Sequence, residues 1–221
     1  ERWGDDDAAL VYWALGLALG RPGAQNAEGD LLGHVRDTGE DAGDPFVRRY
    51  RTAGHIAYHC DLADAVGLLC LRTARAGGAS RIVSSVTVFN ELARRRPDLV
   101  PRLFEPMYLD RRNEHDDGGP GWVPVIPCRY GEGRLRTFYH SDYFRSATRH
   151  ADVPPFTAAE RELLDLYEAI AAEPALRLDM QLAVGDVQLV SNHVILHART
   201  AYEDAPDQTR QRHLLRLWLS L

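Results

Sequence analysis

At 221 residues the chain is long enough to bury one sizeable core, and domains of this length fold as single units. Its formal net charge of -6, from 26 basic and 32 acidic residues, comes without any block of basic residues interleaved with aromatics, which argues against nucleic acid as a partner. Cys60, Cys70 and Cys128 cannot all pair and show no Cys-x-x-Cys spacing, so reduced thiols and a cytoplasmic setting are expected.

In chain order, Asp5-Asp6-Asp7 suits the positive end of a helix dipole, and the apolar run that follows predicts an amphipathic helix on the outside of the core. That run, residues 8–19, is about half of what a membrane crossing requires. It stops at Gly20-Arg21-Pro22 and has no basic leader or cleavage-like site, so no membrane partner is expected. The chain begins at Glu1 rather than Met, which leaves room for an upstream segment. Residues 21–50 mix Gly, Asp and Arg without steady periodicity and read as irregular cover, completing a helical N-terminal cover over about 1–50.

Residues 52–71 read as two strands with a turn at 61–64. Residues 86–96 read as a helix with Val88, Phe89 and Leu92 on one side, ended by Pro97. Residues 110–121 are polar and Gly-rich and are expected to be a mobile loop that does not pack, a candidate lid. Thr157-Ala158-Ala159-Glu160 forms a capping-box pattern before a second helix carrying Leu163, Leu164, Tyr167 and Ile170. The last third alternates apolar and polar residues over 179–189, 194–198 and 214–219, with turns at Gly185-Asp186 and 204–207. Strand-rich segments around intruding helices predict a mainly β fold with flanking helices, a double-stranded β-helix (jelly-roll, cupin-like) core over about 51–221 in a single domain. There is no internal repeat.

The chemistry concentrates in His59-Cys60-Asp61. In a strand, residues two apart share a face, so His59 and Asp61 can bind one metal ion while Cys60 points away. His197 from a neighbouring strand would complete two imidazoles and one carboxylate, a set that holds Fe(II) with coordination positions left open. Two other H-x-D spacings, at His115 and His140, lack these surroundings; Asp64 reads as a turn residue, and His34, His55, His150, His193 and His213 read as surface or satisfied buried groups. Cys60 and Cys70 read as small core residues. Arg212 and Arg216 fall on one side of an alternating stretch in which Leu215, Leu217 and Leu219 take the other, and a guanidinium held there offers a planar fork for a carboxylate.

The ordered series Tyr58-His59-Cys60-Asp61, Gly77-Gly78-Ala79-Ser80, Gly185-Asp186, Asn192 to Arg199 and Arg212 to Trp218 resembles the taurine dioxygenase-like (TauD/TfdA) branch of the Fe(II)/2-oxoglutarate dioxygenases, from about residue 50 onwards. The resemblance implies Fe(II) on His59, Asp61 and His197, with 2-oxoglutarate and O2 as co-substrates, and oxidation of an unactivated C–H bond of a small metabolite with release of succinate and CO2. It assigns Arg212 to the distal carboxylate of 2-oxoglutarate, with Ser80, where relatives often carry Thr, as a second anchor. Arg216 matches a position that meets the substrate's anionic end and helps order the co-substrate. Asn192 matches an Asn that bonds near the site, and a purely structural role at a loop edge is equally compatible. Tyr58, Tyr139, Asn192 and Trp218 would serve the substrate side. An acid at Asp61 disfavours halogenation, because halogenating relatives carry a small residue there. The rivals are a non-haem iron enzyme that does not use 2-oxoglutarate, and an inactive jelly-roll that binds a small ligand. A homo-oligomer is compatible with everything read so far.

Overall fold

The computed structural model describes residues 4–114 and 118–221. Its strands, in chain order, are β1 (Arg21–Pro22), β2 (Gly33–Val35), β3 (Ile56–His59), β4 (Ala65–Arg72), β5 (Ala76–Gly77), β6 (Ser80–Ser84), β7 (Met107–Asp110), β8 (Trp122–Val125), β9 (Cys128–Gly131), β10 (Arg134–Thr137), β11 (Arg177–Met180), β12 (Val187–Ser191), β13 (Ile195–Arg199), β14 (Tyr202–Glu203) and β15 (His213–Ser220). The helices are α1 (Asp5–Leu19), α2 (Ser85–Arg95), α3 (Ser141–Ala147) and α4 (Ala158–Ala171). The fold is mainly β with few helices.

Two antiparallel sheets carry the molecule. One runs β1-β15-β4-β12 with β2 also on β15, and the other runs β11-β6-β13-β3. Within the runs β3-β4-β6 and β11-β12-β13-β15 the strands of these sheets alternate between them, so β3 and β4 do not pair. The turn expected at 61–64 instead carries the chain from one sheet to the other.

Period-two patterning explains the layers. On β15, Leu215, Leu217 and Leu219 pack with Tyr12 of α1, while Leu214, Arg216 and Trp218 face inward between the sheets. On β13, Leu196 and Ala198 pack with α2 and α4, while Ile195, His197 and Arg199 face inward. The helical layer is the larger core, with Val88, Leu92, Leu163, Leu164, Tyr167 and Ile170 fully buried. At about 1.5–3 kcal/mol for each fully buried large apolar side chain, that layer is a principal source of stability.

Several expectations need correcting. Helix α1 forms, yet it is not amphipathic in the expected sense: only Tyr12 and Gly16 are buried, and Leu10, Val11, Leu15, Leu17 and Leu19 are exposed. Helix α3 was missed because His140-Ser141-Asp142 reads as polar punctuation; it is a two-turn helix whose Phe144 and Ala147 are fully buried. The segment 110–121 packs in part: Asn113 and residues 118–120 are exposed, but Asp110 and Arg112 are not. Asp110 ends β7 with 1% exposure and Arg112 is 5% exposed. Residues 115–117, the centre of the expected lid and the site of the His115 H-x-D spacing, lie outside the described residues. All three cysteines are free and buried. Among the described residues no helix is long and apolar enough to cross a membrane.

Candidate active site

Strand register builds the site. His197 on β13 stands opposite His59 on β3 and opposite Ile82 on β6, bringing the two imidazoles to 4.1 Å between ring centres. Asp61 lies two residues past the end of β3, so simple alternation within one strand does not place it. Asn192 does, accepting from the Asp61 N–H at 3.0 Å and donating to the Asp61 and Ala63 carbonyls. Asn192 therefore positions the metal-side loop rather than lining the substrate side.

The donor atoms of His59, Asp61 and His197 lie within 4.8 Å of one another, and all three residues are buried. The Asp61 oxygens stand 3.7 Å from His59 Nε2 and 3.5 Å from His197 Nε2. His59 Nδ1 lies 2.9 Å from the Ala57 carbonyl, which fixes the proton on Nδ1 and turns the Nε2 lone pair inward. Burial, with His197 nearby, pushes the His59 pKa down to about 4 despite the opposing pull of Asp61, so the ring is neutral at neutral pH. For Asp61, burial opposes ionisation, but Arg216 and the two histidines outweigh it and hold the carboxyl well below the usual range. Trp218 donates from Nε1 to Asp61 Oδ2 at 2.9 Å, and Arg216 Nη1 sits 3.7 Å from the same oxygen. Neutral imidazoles and an ionised, oriented carboxylate are the donor set that a divalent iron requires.

Two cavities meet at this cluster. The first, about 50 Å³, is lined by His59, Ser80, His197, Arg199, Arg212 and Arg216 among others. Ser80 donates to Gln188 Oε1 at 2.6 Å. Arg212 is 5% exposed and its Nη1 has no partner. Burial lowers its pKa, and that of Arg199 falls to about 10 through burial and the neighbouring Arg212. Both guanidiniums lie over the Tyr202 ring. Gly77 and Gly78 take left-handed backbone (φ 75° and 71°), and a Cβ on Gly78 would lie 3.0 Å from Arg212 Nε, so the Gly-Gly pair lets this arginine reach the cavity.

Arg212 lies just before β15, and a register shift falls between His213 and Leu214. It nevertheless shares the first cavity with Arg216, as the sequence suggested. Arg216 is held by Gln25, donating from Nε to Oε1 at 2.7 Å, and stacks between Tyr50 and Trp218. It lines the first cavity and not the second.

The second cavity, about 280 Å³, opens on the other side of Asp61 and Trp218 and includes Arg48, Arg112, His140 and Tyr143. Tyr58 and Tyr139, expected near the substrate, point into the helical layer instead. Tyr58 follows the strand's alternation away from His59, and Tyr139 packs on Tyr167 and donates to the Leu164 carbonyl at 3.4 Å. Residues the sequence reading passed over are Gln188, Arg199, Gln25 and the Arg112–Tyr143–His140 group. Parity could have found Arg199, two residues from His197 on the same face, and Gln188, polar at a buried strand position. Gln25, in the irregular cover, gave no signal.

A model of the family described as "Taurine catabolism dioxygenase TauD, TfdA family" matches residues 3–218. The chain belongs to the TauD/TfdA family. Among relatives it is 32% identical over 218 residues to FR-33289 synthase of Streptomyces rubellomurinus (strain ATCC 31215), covering 97% of this chain and 64% of that protein. It is 29% identical over 224 residues to a uridine-5'-phosphate dioxygenase of an Amycolatopsis species, covering 96% of this chain and 80% of that protein. An asparagine oxygenase solved with Fe(II), 2S,3S-3-hydroxyasparagine and succinate superposes with a TM-score of 0.73 at 22% identity, over 96% of this chain and 64% of that one. The non-heme iron oxygenase OrfP, with Fe and alpha-ketoglutaric acid, gives 0.66 at 16% identity over 96% of this chain and 63% of that one. At these identities the structural likeness shows the fold. The chain thus spans 64% of the length of the first of these TauD/TfdA relatives.

Proposed function

We propose that this chain is one domain with a double-stranded β-helix core that acts as an Fe(II)- and 2-oxoglutarate-dependent oxygenase on an unactivated C–H bond of a small metabolite. The observation that carries the reading is the buried His59–Asp61–His197 cluster set between two cavities, one of them holding the unsatisfied Arg212 guanidinium. Relatives whose names or bound ligands include a nucleoside phosphate, asparagine and hydroxyarginine support a small polar substrate. A cytoplasmic location goes with the three free thiols.

His59, Asp61 and His197 would hold the iron. Bound there, iron supplies the redox chemistry by which 2-oxoglutarate, O2 and a C–H bond become succinate, CO2 and an oxidised product. The protein's own share is binding and orientation. Arg212 would receive the distal carboxylate, with the Ser80 hydroxyl turning from Gln188 to donate to it and Arg199 adding positive charge behind them. Arg216 and Trp218 hold Asp61 in one orientation, so the carboxylate does not swing when the substrate enters. The apolar walls of the first cavity, Val66, Leu68 and Leu214, keep water from the co-substrate.

The test is twofold. Wild-type protein should retain about one iron per chain and release succinate from 2-oxoglutarate when presented with its metabolite. His59→Ala and His197→Ala should lose both metal and turnover while keeping the wild-type circular dichroism. Undiminished metal content and succinate release in either variant would sink the assignment.

A further inference from the structure

We infer that the second cavity is built to receive an anionic group of the substrate, with Arg112 as its receptor; this rests on the oxygenase reading and names the substrate class that reading leaves open. Arg112 is 5% exposed and lines the cavity that opens beside Asp61 and Trp218. A buried guanidinium normally has a carboxylate partner, because desolvating an unpaired charge is costly. Arg112 has none within ion-pair distance among the described residues. Its Nη1 donates to the Val47 carbonyl at 3.0 Å, and its Nε is buried without an acceptor.

Of the acids around it, Asp61 belongs to the metal cluster, Asp142 lies 4.0 Å from Arg49, and Asp110 and Glu114 are already committed. Asp110 takes Arg149 through both oxygens, at 2.7 and 3.1 Å, and accepts the backbone N–H of Arg112 rather than its side chain. Glu114 pairs with Arg48 through both oxygens. Three arginines line the cavity: Arg48 is paired with Glu114, Arg111 donates to the Pro120 carbonyl, and Arg112 is left without a carboxylate within ion-pair distance among the described residues. Burial lowers the Arg112 pKa, with Tyr143, Asp110 and Asp142 only partly offsetting it.

The rest of the wall gives this charge a direction. The Arg112 guanidinium lies 4.1 Å from the centre of the Tyr143 ring, Tyr143 stacks on His140 at 3.7 Å, and His140 lies 4.8 Å from His59. A ladder of planar groups thus runs from the unpaired cation to the metal-side histidine. His140 Nδ1, buried and without a partner, adds a polar group part-way along it. A substrate anchored at Arg112 by its anion lays its other end towards the metal cluster, so the oxidised carbon is not the one bearing the anion. The Nε edge of a guanidinium suits either a carboxylate or a phosphoryl-type oxyanion. The backbone at Arg112 is left-handed (φ 49°), a conformation that disfavours residues with a Cβ, so this arginine is held in the cavity at a conformational cost.

The test uses protein loaded with Zn(II) in place of iron and saturated with 2-oxoglutarate, so that the Arg212 pocket is filled and no turnover occurs. Methylphosphonate, acetate and tetramethylammonium are titrated by calorimetry. At least one of the two anions should bind and the cation should not, and Arg112→Gln should weaken that anion at least ten-fold while 2-oxoglutarate affinity stays within two-fold. Arg112→Lys, which keeps the charge and loses the fork, should fall between the two. A preference for methylphosphonate assigns a phosphoryl-type substrate and a preference for acetate a carboxylic acid. Thermal melting shows whether Arg112→Gln remains folded; if it does not, Arg112→Lys carries the comparison. Equal anion affinity in wild type and the folded variants, or no binding of either anion to wild type with 2-oxoglutarate bound, overturns the inference. Failure of wild type to bind 2-oxoglutarate at all would instead count against the oxygenase reading.

Discussion

Asp61 is the residue on which the metal cluster turns, and it sits in a crossover rather than a strand. Its geometry depends on Asn192 from below and on Trp218 and Arg216 from the side. Partners that orient a metal-binding carboxylate are commonly worth 10- to 100-fold in metal affinity. Trp218→Phe keeps an aromatic ring beside Arg216 but deletes the Nε1–H donor and some buried volume, so iron affinity should fall by roughly that 10- to 100-fold alongside a modest loss of stability. Equilibrium iron binding measures it, and an unchanged affinity would mean that Trp218 only packs. Arg212→Gln should raise the 2-oxoglutarate requirement steeply, since truncating one partner of a buried charge pair costs about 2–5 kcal/mol. Gly78→Ala should do the same more mildly, by pressing on Arg212 Nε. The apparent constants for 2-oxoglutarate check both.

At the scale of elements, what the residues announced and what they hid have separate physical causes. Helix α4 was readable because its signals are local: Thr157 accepts from the Glu160 N–H, and Glu160 reaches back to the Thr157 N–H. Strands β13 and β15 were readable because one face is uniformly apolar. Strand β4 is buried on both faces, so its alternation carries no sign of which side holds the cavity. The three metal-side residues could be named from the chain, but not the means by which Asp61 arrives, because Asn192 acts from 131 positions away. The tyrosines were misplaced for the opposite reason: sequence proximity to His59 and to the H-x-D at His140 says nothing about which side of the sheet a ring takes.

Removing the Thr157 hydroxyl (Thr157→Ala) should cost about 1 kcal/mol and Leu164→Ala, fully buried beneath the second sheet, about 2–5 kcal/mol by denaturant unfolding. The strand end at His213 supplies a pH dependence. Burial, then His34, Arg72 and Arg36, lower its pKa to about 4, with Asp5 opposing. The unfolded chain therefore binds a proton between about pH 6.5 and 4 that the folded chain refuses, so this contribution is complete above pH 6.5 and is lost as pH falls through that window. His213→Asn should flatten the acid limb of the stability profile by about 1–3 kcal/mol. A limb that is unchanged would place its cause elsewhere.

Across the whole molecule, four layers stand in order: α1, the β15-centred sheet, the β13-centred sheet, and α2 with α4. The metal cluster lies between the sheets, and the second cavity opens from it towards β7 and α3. An apolar groove of about 620 Å³ lies elsewhere; it runs between α1, β4 and the turn at Gly185, and no residue of the metal cluster lines it. Fold and activity thus draw on different faces of the same strands, and substitutions on the Leu196–Leu215 faces should change stability without changing substrate preference.

The pair Arg199 and Arg212 also couples stability to occupancy of the first cavity. Two guanidiniums, each 5% exposed, share one small cavity, and both keep donors without partners. Their mutual repulsion is carried by the folded state alone, because in the unfolded chain water separates them. A dianion of the right length would offset it, acting as a structural counter-ion in that cavity. Saturating 2-oxoglutarate at 100 times its dissociation constant should stabilise the protein by about 2.7 kcal/mol, and the melting temperature should rise accordingly even without O2. Succinate, one carbon shorter and lacking the keto group, should give a smaller rise, and Arg212→Gln should abolish both. Occupancy of the first cavity and resistance to unfolding should therefore rise and fall together.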